Sequence, residues 1–392
     1  MKPDLVHPKR VFFPNLDGLR FFAFLAVFIQ HSNSVWISNI DFYSHVWLRV
    51  IKIFLYSAGD GVSFFFVLSG FLITYLIVKE KFESGKINVL YFYIRRCLRI
   101  WPLYFLLVFL EYTTLPTVAN YLHWDIAKDI RPLYVITFLS NFNFLEIVRH
   151  GTVKYSLLGT SWSVAVEEQF YLVLPLLFYF IPQKAYKFIF PVIIIACYAF
   201  RIAHAGDNLF LYFHTFCLFG DLAIGGLLGY YAYTSKGFIL WLKGLSRAVI
   251  AGVYIAGFLW IFYTTQIHHN SVLFTALGRF VNCVFFAFII AEQCFCENSF
   301  FNLANNKFAS KWGKYTYGLY LLHIMGIMIT SDVAGRLFPG VKMDTFLKDV
   351  AFRLVALFLA MLISYVSYEF YEKQFLKLKE RFAIIKTNKY TK

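Results

Sequence analysis

Charge is what this sequence has least of. Only 15% of its 392 residues are Asp, Glu, Lys or Arg, where a soluble globular domain carries about a quarter, so an ordinary soluble fold is excluded. Acidic residues are the scarcer sign, 22 against 37 Lys and Arg, leaving a net charge of +15. Long soluble stretches, low-complexity linkers and an internal repeat are all missing. There are six cysteines (Cys97, Cys197, Cys217, Cys283, Cys294 and Cys296), mostly inside apolar segments. Neither their spacing nor the adjacent His268 and His269 suggests a metal site, so no metal is expected.

What fills the chain instead is apolar: 59% of residues are hydrophobic and 21% aromatic. The fold class this predicts is an all-α integral membrane protein, a polytopic bundle of about 10 transmembrane helices. Spans are predicted near 19–37, 61–78, 98–115, 164–181, 188–203, 209–231, 248–263, 272–290, 316–329 and 350–371. An eleventh candidate, 132–148, is interrupted by Asn141, Asn143 and Glu146. Charge placement bears on it. With a cytoplasmic N-terminus and ten spans, about 24 of the Lys and Arg fall inside and about 10 outside, the positive-inside pattern. A crossing at 132–148 would flip every later loop and put the basic tail outside, so this segment is expected to be an outer re-entrant or interfacial piece. The organisation is then a cytoplasmic segment 1–18, a transmembrane domain 19–371 and a basic cytoplasmic tail 372–392. The first apolar run holds Arg20 and His31 and is too long for a signal peptide. The basicity reads as topology, and no nucleic-acid partner is expected.

Ionisable groups inside spans cost a few kcal/mol on insertion scales, so Arg20 and His31 should face protein or water. Eleven residues make about three helical turns, which puts both on one face about 16 Å apart. Arg96 and Arg99, three residues apart at the start of the third span, can project from one face. They read either as a positive-inside anchor or, with Arg20, as guanidinium forks converging on a polyphosphate. A nucleotide-containing cofactor fits the second reading. Glu167 and Glu168 open the fourth span; one of them suits the helix dipole, while Glu167 lies deeper and is expected to meet His31, as a carboxylate that raises the basicity of an imidazole does. Asp60 at the outer mouth of the second span is either a solvated loop residue or an acceptor-binding group. Ser69 and Gly70 suit close helix packing. His323, inside the ninth span, either bonds a neighbouring helix or binds substrate.

Five motifs carry a resemblance: Leu-Asp-Gly-Leu-Arg20 with His31; Gly-Val-Ser-Phe-Phe-Phe-Val-Leu-Ser-Gly-Phe-Leu-Ile over 61–73; Arg96-Cys-Leu-Arg99-Ile-Trp-Pro-Leu-Tyr; Ser-Trp-Ser-Val-Ala-Val-Glu167-Glu-Gln-Phe-Tyr; and Tyr-Gly-Leu-Tyr-Leu-Leu-His323. In this order, from Asn15 to Glu372, the chain resembles the acyltransferase-3 family of integral membrane O-acyltransferases. The resemblance implies transfer of an acyl group, most often acetyl, from acyl-CoA (acetyl-CoA) to a hydroxyl of a carbohydrate, a surface polysaccharide or its lipid-linked glycan precursor, in a bacterial cytoplasmic membrane. It places the family's arginine and histidine on Arg20 and His31, its arginine pair on Arg96 and Arg99, and its glutamate on Glu167. Ser63 departs from the acidic residue expected after Gly-Val. Some members carry a fused C-terminal esterase-like domain, and here about twenty residues follow the last span. The expected partners are acyl-CoA, a carbohydrate acceptor and membrane lipids. His31 would either deprotonate the acceptor or carry the acyl group itself. A secondary transporter or a glycan-export subunit is the rival reading; the pseudo-symmetric halves of a transporter are not seen in the sequence.

Overall fold

A computed structural model describes residues 13–36, 47–48, 51–52, 55, 58–151, 156–266, 272–338, 346–383 and 385. Among these, helix dominates and no β-strand occurs, because a backbone shielded from water must satisfy its polar groups within its own segment. The helices are α1 (Asn15–Trp36), α2 (Gly61–Ser84), α3 (Val89–Leu122), the short α4 (Pro132–Ile136) and α5 (Ser140–His150), and α6 (Ser161–Phe180). Next come α7 (Tyr186–Ala203), α8 (Asn208–Phe213), α9 (Thr215–Thr234), α10 (Lys236–Lys243), α11 (Arg247–Gln266) and α12 (Val272–Phe295). The chain closes with α13 (Lys307–Gly313), α14 (Thr316–Leu337) and α15 (Phe346–Ser367), which runs through a π turn at Tyr368–Glu372 into α16 (Lys373–Lys379).

Nine helices among the described residues are long and apolar enough to cross a bilayer. The 22-residue α1 is not one of them, although at about 33 Å it is long enough. Its place in the bundle follows from its two ends. Arg20, near its start, shares an electrostatic neighbourhood with Arg99 of α3, and Arg99 shares one with Lys379 at the end of α16. At the opposite end, Ser32 of α1 bonds Arg353 of α15, and Asp60 ahead of α2 bonds Asn282 of α12. The first and last long helices therefore begin and end on one face, which an even number of crossings requires. Nine is one fewer than the ten that hydropathy and charge predict, and α1 is the helix by which the two differ.

The tightest seam joins α2 to α9. A Cβ on Gly70 would lie 1.9 Å from the Leu222 carbonyl oxygen, and one on Gly225 would lie 1.8 Å from that of Val67. With no side chain at either position the two backbones touch, the close approach that small residues allow in membranes. Ser69 and Glu167 meet beside this seam.

The 132–148 segment does not form one crossing helix. It is two short helices, five and eleven residues long, broken where Phe138 adopts φ 55°; eleven residues reach only about 16 Å of a hydrocarbon core about 30 Å thick. The break is met from α6, where Gln169 Nε2 donates to the Phe138 carbonyl at 2.7 Å, and Asn141 Nδ2 in turn donates to the Phe213 carbonyl at 3.0 Å. Two boundaries differ from expectation. The 209–231 span is divided at His214, whose ring nitrogen accepts from Phe216 N and so starts α9. Residues 372–382 continue as helix, and α16 packs on α3.

Candidate active site

The site is built along α1, with an imidazole at one end and a guanidinium at the other. His31 Nδ1 lies 2.7 Å from His323 Nε2. The ring centroids are 5.0 Å apart and the planes differ by 3°, the geometry of an edge-to-edge hydrogen bond lying in both ring planes. His323 Nδ1 is 3.1 Å and 2.9 Å from the carbonyls of Leu319 and Tyr320. Carbonyls only accept, so the network assigns the hydrogen to His323 Nδ1, and the lone pair of His323 Nε2 accepts from His31 Nδ1–H. The lone pair of His31 is thereby assigned to Nε2. His323 is fully buried, with the rings of Phe24 and Phe28 edge-on to it. The turn of α1 that carries His31 is held from α15. Arg353 Nη1 donates to Ser32 Oγ at 2.6 Å and to the Ile29 carbonyl at 3.2 Å, while its Nε and Nη2 bind Asp349 at 2.6 and 3.0 Å.

At the other end Arg20 is bonded to Asp17 at 2.5 Å. Arg99 lies in the field of both Arg20 and Arg96, so the structure brings together the three cations the sequence singles out. The Arg96 guanidinium sits over the rings of Phe92 and Tyr171, 5.6 and 5.8 Å from their centroids, and its buried Nε has no hydrogen-bond partner. An orphaned donor among like charges is a cradle suited to an anion.

Glu167 is where expectation and structure part. Its carboxylate accepts from Ser69 Oγ at 2.8 Å and from Tyr171 OH at 3.1 Å, within the field of Arg99 and Arg96. The partner of His31 Nδ1 is His323 instead. The reason lies in α6, where Ser163, Glu167 and Tyr171 recur every four residues and line one face. Ser163 Oγ is 2.5 Å from Tyr320 OH, one turn from His323 on α14, and Tyr171 is under Arg96. Glu167 thus occupies the middle of a polar strip linking the two ends. Sequence reasoning missed Ser163, Tyr171 and Tyr320, although the i, i+4, i+8 spacing was there to be read.

Asp60 ends a 3₁₀ turn just ahead of α2. Its Oδ2 accepts from Asn282 Nδ2 at 2.9 Å; burial pushes its carboxyl above the ordinary carboxylate value, with Arg279 and Asn282 pulling the other way. Arg279 in turn binds the fully buried Asp221 at 2.7 Å. One oxygen each of Asn282, Asp221 and Gln30 is buried without a hydrogen-bond partner, and the Gln30 amide faces Gly59. These are three unmet acceptors near the histidine end.

The model of the acyltransferase domain (Acyl_transf_3) matches residues 13–369, nearly the whole bundle and every residue of the strip just described. The chain belongs to the acyltransferase-3 family. As a family member it is 28% identical over 376 residues to the O-acetyltransferase OatA of Staphylococcus aureus strain NCTC 8325 / PS 47, covering 92% of this chain and 57% of the relative. The OatA proteins of strains COL and MRSA252 match to the same extent. The chain thus spans little more than half the length of these curated relatives. No solved structure matches it.

Proposed function

We propose that the chain is a membrane O-acetyltransferase that moves an acetyl group from acetyl-CoA to a hydroxyl of a cell-envelope carbohydrate or its lipid-linked precursor. The observation that carries this is the arrangement along α1: an imidazole at one end and, about 16 Å away, Arg20 with Arg96 and Arg99 nearby, the last two in no ion pair among the described residues. The phosphates of the donor bind Arg96, Arg99 and Arg20, on the face proposed to be cytoplasmic together with both chain ends. The pantetheine arm runs beside the Ser163–Glu167–Tyr171 strip and delivers the thioester to His31.

His31 Nε2 takes the proton of the acceptor hydroxyl as its oxygen attacks the acetyl carbonyl carbon. The carbon–sulfur bond then breaks, and the imidazolium returns the proton to the departing thiolate. His323 positions the imidazole and accepts from Nδ1–H throughout. Glu167, fixed by Ser69 and Tyr171, stands beside the cradle and orders its guanidiniums. The unmet oxygens of Asn282, Asp221 and Gln30, with Asp60, suit an acceptor rich in hydroxyl donors.

The test uses purified protein in nanodiscs with acetyl-labelled acetyl-CoA, following donor binding and CoA release. Binding and turnover by the wild type, with turnover lost in His31→Ala, support the reading. Turnover that persists without His31 removes the catalytic assignment. Folded wild type that binds no acetyl-CoA removes the donor.

A further inference from the structure

The last α-helix among the described residues, α16, lies at the arginine end. Beyond the π turn at Tyr368–Glu372, an element that rotates the residues following it and recurs at functional sites, α16 packs on α3. Its docking is fixed by a cation that is already satisfied. Arg95 Nη2 binds Glu80 at 3.0 Å, Arg95 Nη1 donates to the Phe382 carbonyl at 2.8 Å, and the ring of Phe382 meets Tyr91 edge-on at 5.5 Å. This anchoring brings Lys379 into the field of Arg99, Arg96 and Arg95. Among the described residues Arg96, Arg99 and Lys379 make no ion pair, whereas Arg20 and Arg95 each have one. Three cations from two separate helices are therefore held together, with Glu168, Glu372 and Glu380 near them but in no ion pair with them.

We propose that Lys379 is a ligand of the donor's phosphates, so that α16 completes the donor site. The inference rests on the acyl-CoA reading above and adds a residue to it. Coenzyme A offers a diphosphate and a ribose 3′-phosphate, enough negative charge to neutralise all three groups. The two guanidiniums provide planar forks, and Lys379 provides a compact point charge on a flexible stem. No bond is made or broken; the ligand's phosphates supply direct ion pairs to three cations that make none among the described residues.

The experiment measures CoA binding to the full chain in nanodiscs of zwitterionic lipid, with Lys379→Met, Lys379→Arg and, as a control, Lys377→Met at an exposed position of the same helix. Lys379→Met is expected to bind CoA about tenfold more weakly, with a shallower salt dependence. Without ligand it should melt at the same temperature or higher, since repulsion is relieved, an outcome a purely structural lysine would not produce. Lys379→Arg should bind nearly as wild type, and Lys377→Met should be unchanged. As a second readout on the unaltered chain, CoA should slow the labelling of Lys379 by an amine-reactive reagent. Equal CoA affinity in wild type and Lys379→Met overturns the proposal, as does protection of Lys379 by added anionic lipid but not by CoA. Wild type that binds no CoA removes the donor reading itself, a different result from a lysine that makes no difference.

Discussion

His31 Nδ1 and His323 Nε2 are 2.7 Å apart in rings whose planes differ by 3°. The pair joins α1 to α14, and its polarity is set by the carbonyls of Leu319 and Tyr320 behind it. In the proposed mechanism it serves as a neutral counterpart of a carboxylate–histidine pair: the buried imidazole holds a tautomer without placing a second charge in the bundle.

His31→Ala is therefore expected to lower kcat by about 10²- to 10⁴-fold, the usual worth of a general base, while CoA affinity changes little because the cradle is about three turns away. Single-turnover kinetics beside equilibrium binding checks this. Parallel loss of binding would place His31 in the donor's binding site rather than in its chemistry.

His323→Phe keeps an aromatic ring between Phe24 and Phe28 but removes the acceptor for His31 Nδ1–H. Folding should survive and kcat should fall about 10²-fold with the donor KM unchanged. Wild-type kcat in a folded His323→Phe protein would refute the positioning role.

Arg96→Ala with Arg99→Ala removes two charge-assisted contacts, each worth about 1.5 to 3 kcal/mol. Donor affinity should drop at least about 100-fold, and titrations at several salt concentrations should show a reduced slope. Glu167→Gln, in contrast, retains hydrogen bonds to Ser69 and Tyr171 and should leave the tautomer of His31 intact. Its main effect is expected on donor KM, and an unchanged KM with a collapsed kcat would return Glu167 to the imidazole.

Gly70→Ala and Gly225→Ala each place a methyl inside a backbone carbonyl of the facing helix. The α2–α9 seam has to open, at a cost of about 3 kcal/mol or more. Gly252→Ala, where nothing lies within 4 Å of the added carbon, is the control that should melt like the wild type.

Asp221→Ala leaves Arg279 without its buried counter-charge and should destabilise the protein by about 3 to 5 kcal/mol. Asp221→Leu with Arg279→Met should recover most of that loss, because the desolvated charge is gone. Thermal unfolding of the three proteins decides it.

Much of this protein could be read along the chain, because hydropathy and charge are local. The ten apolar stretches, the non-crossing 132–148 segment with its asparagines, and the shared helix face of Arg20 and His31 need only the helical repeat and the bilayer's thickness. The meeting of Arg20 with Arg96 and Arg99 followed from which ends of which spans carry them. The partners across helices did not follow. His31 was expected to meet Glu167, and the residue it bonds, His323, is 292 residues away. Lys379 looked like one more basic residue of a tail. A membrane helix that is apolar on most of its faces leaves its rotation about its own axis undetermined by hydropathy. The rotation is chosen by packing, where Gly70 and Gly225 let two backbones touch, where a π turn re-aims α16, and where Ser69 and Tyr171 take up Glu167. Those contacts decide which nitrogen of His31 meets His323 and which cations make no ion pair among the described residues.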